Sequence, residues 1–452
     1  MGLKDFIVTP VFLVIVITLA YMVRGRYTDN NTRRYFILAI LIKIVGGISV
    51  GLIYQFYYGG GDTINYYSGA TVIWEAFMEA PAKGLKLLLA TGEYDPDTFN
   101  YASRIRYYYG DPNLYFILRV TAFFAIFTYN TYSAIAVFYA IFSFAGLWAM
   151  YSIFYRFFPK LHLQLAVATF FVPSVFFWGS GILKDSLTIG ALGFMVYAFS
   201  NIFFFRKRIV FNIVILLVGS YVLYTVKIYI LLCFVPSALF WLYFSSLRRI
   251  ELRAVRILIA PVALALTLVL IYVAILKVGE DNERYRIENL ANTAEFTARW
   301  IHQESERQSG STYSLGDFDY SATGIAKKFF PAIWVTLFRP YIWEVRNPVM
   351  FLSALENLFV LLFSISLFTT RNIFRIYSFI RSQPVILFWL IFSIVFSSAV
   401  GFTTYNLGSL VRYKIPMIPF YISAVFIIKN YTKTSRKKDL VTYRGLNGRQ
   451  TF

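Results

Sequence analysis

The chain has 452 residues, of which 58% are hydrophobic and only 15% are charged, and its mean hydropathy is +0.60. About a quarter of the residues in a soluble domain are charged, so this composition predicts a polytopic membrane protein instead. The net charge of +20 fits the Lys and Arg excess of cytoplasmic loops, and no nucleic-acid partner is predicted. One cysteine and two histidines exclude an intramolecular disulfide and a His-based metal cluster.

Eleven apolar segments are long enough to cross a bilayer, since a spanning helix needs about 20 mostly apolar residues. The fold class predicted is therefore all-α, with about eleven transmembrane helices. The first segment lacks a small-residue cleavage site and is expected to be retained. The segment 114–129 is apolar but short, so it is expected to lie at the outer surface. The spans are 6–23, 35–57, 131–155, 162–180, 184–205, 209–226, 228–246, 255–277, 349–369, 384–402 and 411–429.

The basic clusters predict the orientation of these spans, because Lys and Arg are enriched in cytoplasmic loops. With eleven spans every cluster falls on the same side. This arrangement places the N-terminus outside and the C-terminus in the cytoplasm of a bacterial inner membrane. The clusters are Arg24 to Arg34, Arg156 with Lys160, Arg206 to Arg208, Arg248 to Arg256, Arg371 to Arg381, and Lys429 to Lys438.

The chain is predicted to form one transmembrane domain over 1–430, followed by a basic, disordered cytoplasmic tail over 431–452. Two long outer loops interrupt the spans, at about 58–130 and 278–348. The first loop contains amphipathic stretches at 70–80 and 83–90, which predict short surface helices. Structureless loops of this length are uncommon in compact proteins, so both loops are expected to fold as caps over a cavity.

Two acidic residues stand where the chain reaches the outer membrane surface. Asp62 follows three glycines and precedes Tyr66, whose ring can serve as an aromatic wall for a substrate. Asp185 follows Lys184 between two apolar segments. Acids kept at the edge of the hydrocarbon are candidates for function by default. The alternatives are a helix cap or solvated turn for Asp62, and a cap or an ion pair for Asp185.

Several cations are predicted at the same outer surface and suit a phosphate group. Lys227 lies between two spans, and Arg339 and Arg412 lie where later segments enter the membrane. Arginine forms bidentate pairs with phosphate, although each of these cations could instead be an interfacial anchor. Lys184 and Asn406 complete the set of predicted substrate-binding residues. Two acids and several cations on one face indicate chemistry that involves both a phosphate and a hydroxyl group.

This pattern resembles the GT-C superfamily, whose members are integral-membrane glycosyltransferases that use polyprenyl-phosphate sugars. The resemblance is carried by Asp62 to Tyr67 with the loop after it, by Pro173 to Asp185, by Lys227, and by Arg412 to Pro416. It covers residues 35–250 well and the remainder loosely. The acidic loop of the superfamily usually follows the first span, whereas here it follows the second. Either 6–23 is an added helix or the kinship is more distant.

The resemblance implies an inverting displacement. The donor would be a sugar on a polyprenyl phosphate, and the acceptor a glycan or a lipid-linked molecule. Asp62 would be the general base, and Asp185 would orient the acceptor or hold a divalent cation such as Mg²⁺ or Mn²⁺. Lys227, Arg339 and Arg412 would hold the phosphate.

Three other functions remain open from the sequence. An O-antigen or exopolysaccharide polymerase or ligase would depend on arginines of the second outer loop instead of Asp62. A transporter or flippase would carry several charges at mid-membrane and a repeat between its halves, and no repeat is visible. A non-catalytic assembly subunit is the third alternative.

Overall fold

A computed structural model describes residues 2–447 of the chain, apart from 107, 109, 282, 308–309, 317 and 369–372. The described residues form helices and connecting segments, with one isolated bridge between Thr312 and Asn406. In this part of the chain, nine helices are long and apolar enough to cross a membrane. The prediction of an all-α polytopic membrane protein is therefore confirmed, while the count of eleven spans stays a prediction.

The chain divides into two compact units, residues 1–231 and 232–452, and each is described by itself. The predicted single domain over 1–430 stays a prediction. The helices of the first unit are α1 (Leu3–Tyr27), α2 (Arg33–Leu52), α3 (Asp62–Glu79), α4 (Pro81–Leu89), α5 (Phe99–Ala102), α6 (Pro112–Phe127), α7 (Tyr132–Phe157), α8 (His162–Phe170), α9 (Pro173–Trp178) and α10 (Lys184–Ser200).

At the centre of the first unit, α7 packs along both α10 and α2. Small residues permit the close approach of α7 and α10. A Cβ atom on Gly146 would lie 2.0 Å from the Gly190 carbonyl oxygen, and one on Gly193 would lie 2.1 Å from the Gly146 oxygen. Membrane helices associate through such small-residue contacts because lipid offers no hydrophobic drive for association.

The first long loop, predicted over 58–130, folds into the helices α3 to α6. Its predicted amphipathic stretches correspond to α3 and α4, and the short apolar segment corresponds to α6. These helices share a hydrophobic core in which the Tyr66, Ile73, Leu87 and Leu118 side chains are almost completely buried. The loop is thus an ordered helical cap.

The segment predicted as a span over 162–180 is broken. The structure forms the short helices α8 and α9 there, with α9 beginning at Pro173. Proline lacks the N–H that would continue the helical hydrogen bonds, and Gly179 ends α9 two turns later. The connecting residues 179–183 then lead into α10.

A long helix, α11 (Ile209–Arg249), follows α10 and passes from the first unit into the second. Lys227 interrupts it with non-helical dihedral angles, φ −149° and ψ 77°. The interruption leaves two stretches, 209–226 and 228–249, each of roughly the length that crosses a bilayer. It falls at the residue that the sequence predicts as the junction of two spans.

The second unit contains the remaining helices and part of the loop predicted over 278–348. Within that loop, α14 is an apolar helix that the sequence analysis did not predict. Two lysines, Lys327 and Lys328, and Pro331 interrupt its apolar run and hide the pattern. The helices are α12 (Arg253–Asp281), α13 (Leu290–Arg307), α14 (Ala322–Phe338), α15 (Pro348–Phe368), α16 (Ile373–Ser382), α17 (Pro384–Thr403), α18 (Leu407–Tyr413) and α19 (Ile418–Asn447).

The disordered cytoplasmic tail predicted over 431–452 stays a prediction. Helix α19 continues through Asn447 in the structure, and residues 448–452 lie outside the described part. Lysine and arginine, which are frequent in this segment, are good helix formers, so its composition does not oppose the helix.

Candidate functional site

The two ends of the first unit have opposite character. At one end Arg156 donates a hydrogen bond to the Asn201 side chain at 3.0 Å, and the basic residues 206–208 follow directly. At the other end α2 finishes and α7 and α10 begin, and this end carries Asp62 and Asp185. Both acids predicted as catalytic therefore lie at the same end of the unit, away from the basic clusters.

Asp62 is the first residue of α3 and is partly buried. The chain reaches it through a π-helical turn, Ile53–Tyr57, and three glycines with φ angles of 69°, 154° and 117°. These angles favour glycine, which has no Cβ. A Cβ on Gly61 would also lie 2.8 Å from the Tyr54 ring. The glycines thus allow the sharp turn that places Asp62 in the first turn of a helix, where a negative charge is favourable.

The neighbours of Asp62 on α3 fix this helix against the start of α7. The buried Thr63 hydroxyl shares a 2.5 Å hydrogen bond with the Tyr132 hydroxyl, and Tyr67 donates to the Asn130 carbonyl oxygen at 2.7 Å. Burial and the nearby Asp5 carboxylate raise the pKa of Tyr67, so its hydroxyl remains a neutral donor. Tyr66 is only 4% exposed and packs in the core of the cap.

Asp185 forms a buried ion pair with Lys227. The Lys227 ammonium lies 2.6 Å from Asp185 Oδ1, and the two side chains are 7% and 1% exposed, respectively. Lys227 reaches this position from the interruption in α11. An ion pair was one of the alternatives open for Asp185, with Lys184 as the expected partner. The structure pairs it with Lys227, whose charge was predicted to face a phosphate.

Lys184 interacts with several of the charged residues at this end. Its ammonium interacts electrostatically with the carboxylates of Asp62, Asp111 and Asp185 and with the Lys227 ammonium. The structure thus brings four of the predicted residues, Asp62, Lys184, Asp185 and Lys227, into a single charged group. We call these four residues with Asp111 the Lys184 cluster. Among the described residues, no hydrogen bond holds the Lys184 ammonium.

Asp111 belongs to this region, and Lys43 lies deeper in α2; the sequence analysis predicted neither as a site residue. Asp111 caps α6, accepting hydrogen bonds from the Asn113 and Leu114 backbone N–H groups at 3.0 Å. An Asp-Pro pair before an apolar helix signals a cap and does not reveal proximity to Lys184. Lys43 could have been noticed, because a lysine in the middle of an apolar span marks a functional position by default.

The remaining predicted residues, Arg339, Asn406 and Arg412, lie in the second unit. Arg339 makes a bidentate pair with Glu344, with Nε 3.1 Å from Oε2 and a second bond from Nη2 to Oε1. Its guanidinium also lies 5.5 Å from the centre of the Tyr313 ring. Asn406 caps α18 through Ser409 N and donates to the Ser305 hydroxyl. Arg412 is partly buried in the last turn of α18.

A fully buried lysine, Lys414, joins the segments around Arg339. Its ammonium donates to Asn357 Oδ1 at 2.5 Å and to the Arg339 carbonyl oxygen at 3.3 Å. The Asn357 side chain, which is buried, thus has Lys414 as a hydrogen-bond partner. We call Arg339, Glu344, Asn357 and Lys414 the Arg339 cluster. That Lys227, Arg339 and Arg412 together hold a phosphate stays a prediction, since Lys227 belongs to the first unit and the two arginines to the second.

No group of three or more His, Cys, Asp or Glu residues in the described part of the chain is arranged to hold a metal ion. The prediction of a divalent cation therefore remains open. Comparison with known proteins gives no match to a family model, to a curated protein or to a solved structure. The geometry of the Lys184 cluster therefore has to carry the functional interpretation.

Proposed function

We propose that this protein is a membrane glycosyltransferase. It would transfer a sugar from a polyprenyl-phosphate-linked donor to a glycan, lipid or protein acceptor at the outer face of the bacterial cytoplasmic membrane. The observation that carries the proposal is the Lys184 cluster, in which an ammonium group without a hydrogen-bond partner in the described residues interacts electrostatically with three carboxylates. A cation for phosphate and a base for a hydroxyl group thus belong to one charged group.

Each residue of the cluster has a role in this reaction. Asp62 takes the proton of the acceptor hydroxyl, whose oxygen attacks the anomeric carbon of the sugar. The bond from that carbon to the phosphate oxygen breaks, and polyprenyl phosphate leaves with the electron pair. Lys184 stabilises the negative charge that grows on the leaving phosphate.

The buried pair of Asp185 and Lys227 supports Lys184 instead of contacting phosphate directly. Asp185 adjoins Lys184 in sequence, and the 2.6 Å ion pair ties the start of α10 to α11. Charged pairs of this kind fix geometry, because removing one partner leaves the other buried and uncompensated. Asp185 thereby keeps Lys184 oriented, and Lys227 neutralises Asp185.

The second unit favours this reaction over polymerisation or ligation by loop arginines. Arg339, the predicted arginine within the second outer loop, is already bonded to Glu344 through two of its nitrogen atoms. An arginine in a bidentate pair with a carboxylate has fewer donors left for phosphate. The bidentate pair of Arg339 with Glu344 thus suits a structural tie.

Lipid-phosphate binding tests the proposal directly. Purified protein is titrated with undecaprenyl phosphate and, separately, with neutral undecaprenol. Lys184→Ala should weaken binding of the phosphate about 10- to 100-fold, since a hydrogen bond to a charged group contributes about 1.5–3 kcal/mol. Binding of undecaprenol should change little. Lys160→Ala, which removes an exposed lysine at the opposite end of the unit, is the matched control.

Transfer is then measured in proteoliposomes with a panel of synthetic polyprenyl-phosphate sugars and a membrane extract as the source of acceptor. Wild-type protein should release polyprenyl phosphate from at least one donor and label an acceptor. Equal binding of undecaprenyl phosphate by wild-type and Lys184→Ala protein, or no transfer from any donor, would contradict the proposal.

A further inference from the structure

Lys43 is a fully buried lysine near the middle of a membrane span. Its side chain is 0% exposed, and the span that contains it runs from Arg33 to Tyr57. Lys43 lies about 15 Å from Arg33 along the helix axis, at a rise of about 1.5 Å per residue. Charged groups at this depth are costly and normally face a polar partner. The proposed reaction does not use Lys43, so its role has to be sought in what it contacts.

The Lys43 ammonium binds backbone carbonyl groups at the end of the broken helix α9. It donates to the Gly179 oxygen at 2.6 Å and to the Val175 oxygen at 3.1 Å. The Ser143 hydroxyl also donates to the Gly179 oxygen at 2.6 Å. The last carbonyls of a helix have no partner within the helix and carry a partial negative charge. In the described residues, no carboxylate lies within ion-pair distance of Lys43.

Several backbone carbonyl groups of α9 and of the connecting residues 179–183 accept hydrogen bonds from side chains. Besides the bonds from Lys43 and Ser143, the Ser186 hydroxyl donates to the Gly181 oxygen at 2.7 Å and the Ser180 hydroxyl to the Phe176 oxygen. Irregular backbone at membrane depth requires such partners, because lipid supplies none. The bond from Lys43 differs from the others in coming from an ammonium group on α2, which binds two carbonyl groups.

Helix α2 is also held tightly against α9. A Cβ on Gly46 would lie 2.1 Å from the Phe176 oxygen, and one on Gly47 would lie 2.8 Å from the Ser180 oxygen. Helix α2 therefore holds α9 and the start of the connecting segment 179–183, through Lys43 and these glycines. The same segment leads, after Leu183, directly into Lys184 and Asp185.

We propose that Lys43 is a positioning residue whose ammonium group takes the place of a bound cation at the end of α9 and fixes the loop that presents Lys184 and Asp185. Broken helices in membrane proteins offer the same carbonyl groups to small cations. Here the cation is covalently attached to α2. The importance of the loop for donor binding rests on the proposed function, whereas the positioning itself does not.

Hydrogen–deuterium exchange of residues 179–187 tests the positioning without reference to activity. Lys43→Met removes the charge and all donors at similar length, so exchange there should accelerate at least about tenfold, as expected for local opening. Exchange in α6 should not change. Lys43→Arg keeps the charge and the donors and should stay close to wild type. Lys414→Met, which removes another fully buried lysine, is the matched control and should leave 179–187 unchanged.

A small cation should replace the missing ammonium group. Lys43→Ala leaves space beside the Val175 and Gly179 carbonyls, and added methylammonium should restore slow exchange of 179–187. Tetramethylammonium has no N–H donor and should not. Fast exchange that methylammonium reverses in a saturable manner would support the proposal.

Wild-type exchange at 179–187 in folded Lys43→Met protein would overturn the proposal. A second outcome would also overturn it: neither Lys43→Met nor Lys43→Ala folds, even with methylammonium present, whereas Lys414→Met does fold. Lys43 would then stabilise the whole unit. Undecaprenyl phosphate binding is measured on the same proteins. If exchange responds as expected but wild-type protein binds no undecaprenyl phosphate, the proposed function fails and the positioning role stands.

Discussion

The Lys184 cluster of the first unit and the Arg339 cluster of the second use similar residues in different ways. In the Arg339 cluster the cations are bonded to protein acceptors, Arg339 to Glu344 and Lys414 to Asn357. In the Lys184 cluster, the pair of Lys227 with Asp185 is comparable. Lys184 differs, because in the described part of the chain it has electrostatic interactions with protein groups but no hydrogen bond to them.

The backbone around the two clusters differs as well. Asp62 follows three glycines with positive φ angles, and Lys184 follows a break in a membrane segment. Before α18 in the second unit, Tyr405 also has a positive φ angle, of 23°, but no run of glycines precedes it. Unusual backbone geometry is frequent at functional sites, where other parts of the fold stabilise it. The comparison therefore supports the proposal that the first cluster carries the chemistry and the second gives structural support.

The largest expected effect is that of Asp62→Asn on transfer. Removing the proposed general base should lower the rate of sugar transfer by about 10²- to 10⁴-fold, the usual contribution of such a group. Thermal unfolding should stay near wild type, because Asp62 is only partly buried. The rate is measured in proteoliposomes, with Asp97→Asn, a change to an exposed acid of the same outer loop, as control. More than about a tenth of wild-type activity in Asp62→Asn would remove Asp62 from the role of base.

The next effect concerns the stability of the buried ion pair. Lys227→Met or Asp185→Asn alone should each destabilise the protein by about 3–5 kcal/mol, since each leaves a buried charge or polar group without its partner. The double change should cost clearly less than the two single changes together. Unfolding in detergent by denaturant gives the three free energies. Additive losses would show that the two side chains do not act as a pair.

A smaller effect is expected for the corresponding pair of the second cluster. Glu344→Gln should cost roughly 1–2 kcal/mol, because the Arg339 and Glu344 side chains are partly exposed to solvent and the bidentate bond is weakened, not removed. Binding of undecaprenyl phosphate should remain unchanged. If Arg339→Ala lost most of its phosphate binding while Asp62→Asn remained active, the polymerase or ligase alternative would be favoured. The second cluster would then carry the chemistry instead of the first.

The last prediction involves no change in activity. The predicted orientation places Lys433 in the cytoplasm and Ser103 outside, on the side of the Lys184 cluster. A cysteine introduced at position 433 should react with an impermeant maleimide only after the membrane is opened, and one at position 103 should react in intact cells. The native Cys233 is buried and gives a low background. The reverse pattern would place Asp62 on the wrong side for a donor at the outer face.

The sequence by itself determined the membrane class, the helical cap in the first loop and the two acids that share one end of the first unit. These properties depend on the length of apolar segments and on local patterns such as the glycines before Asp62. Both can be read from the sequence without knowing which distant residues are in contact. It also located the interruption of α11 at Lys227, where a charge separates two apolar segments.

Only the tertiary structure decided how the charges are paired. Lys227 is 42 residues from Asp185, and Lys43 is 136 residues from Gly179, so nothing local indicates that these groups meet. The broken segment at 162–180 has the composition of a span, and α14 is masked by its lysines and proline. Pairing of buried charges follows from the packing of distant helices, because each ammonium group inside the membrane must find an acceptor wherever the fold provides one.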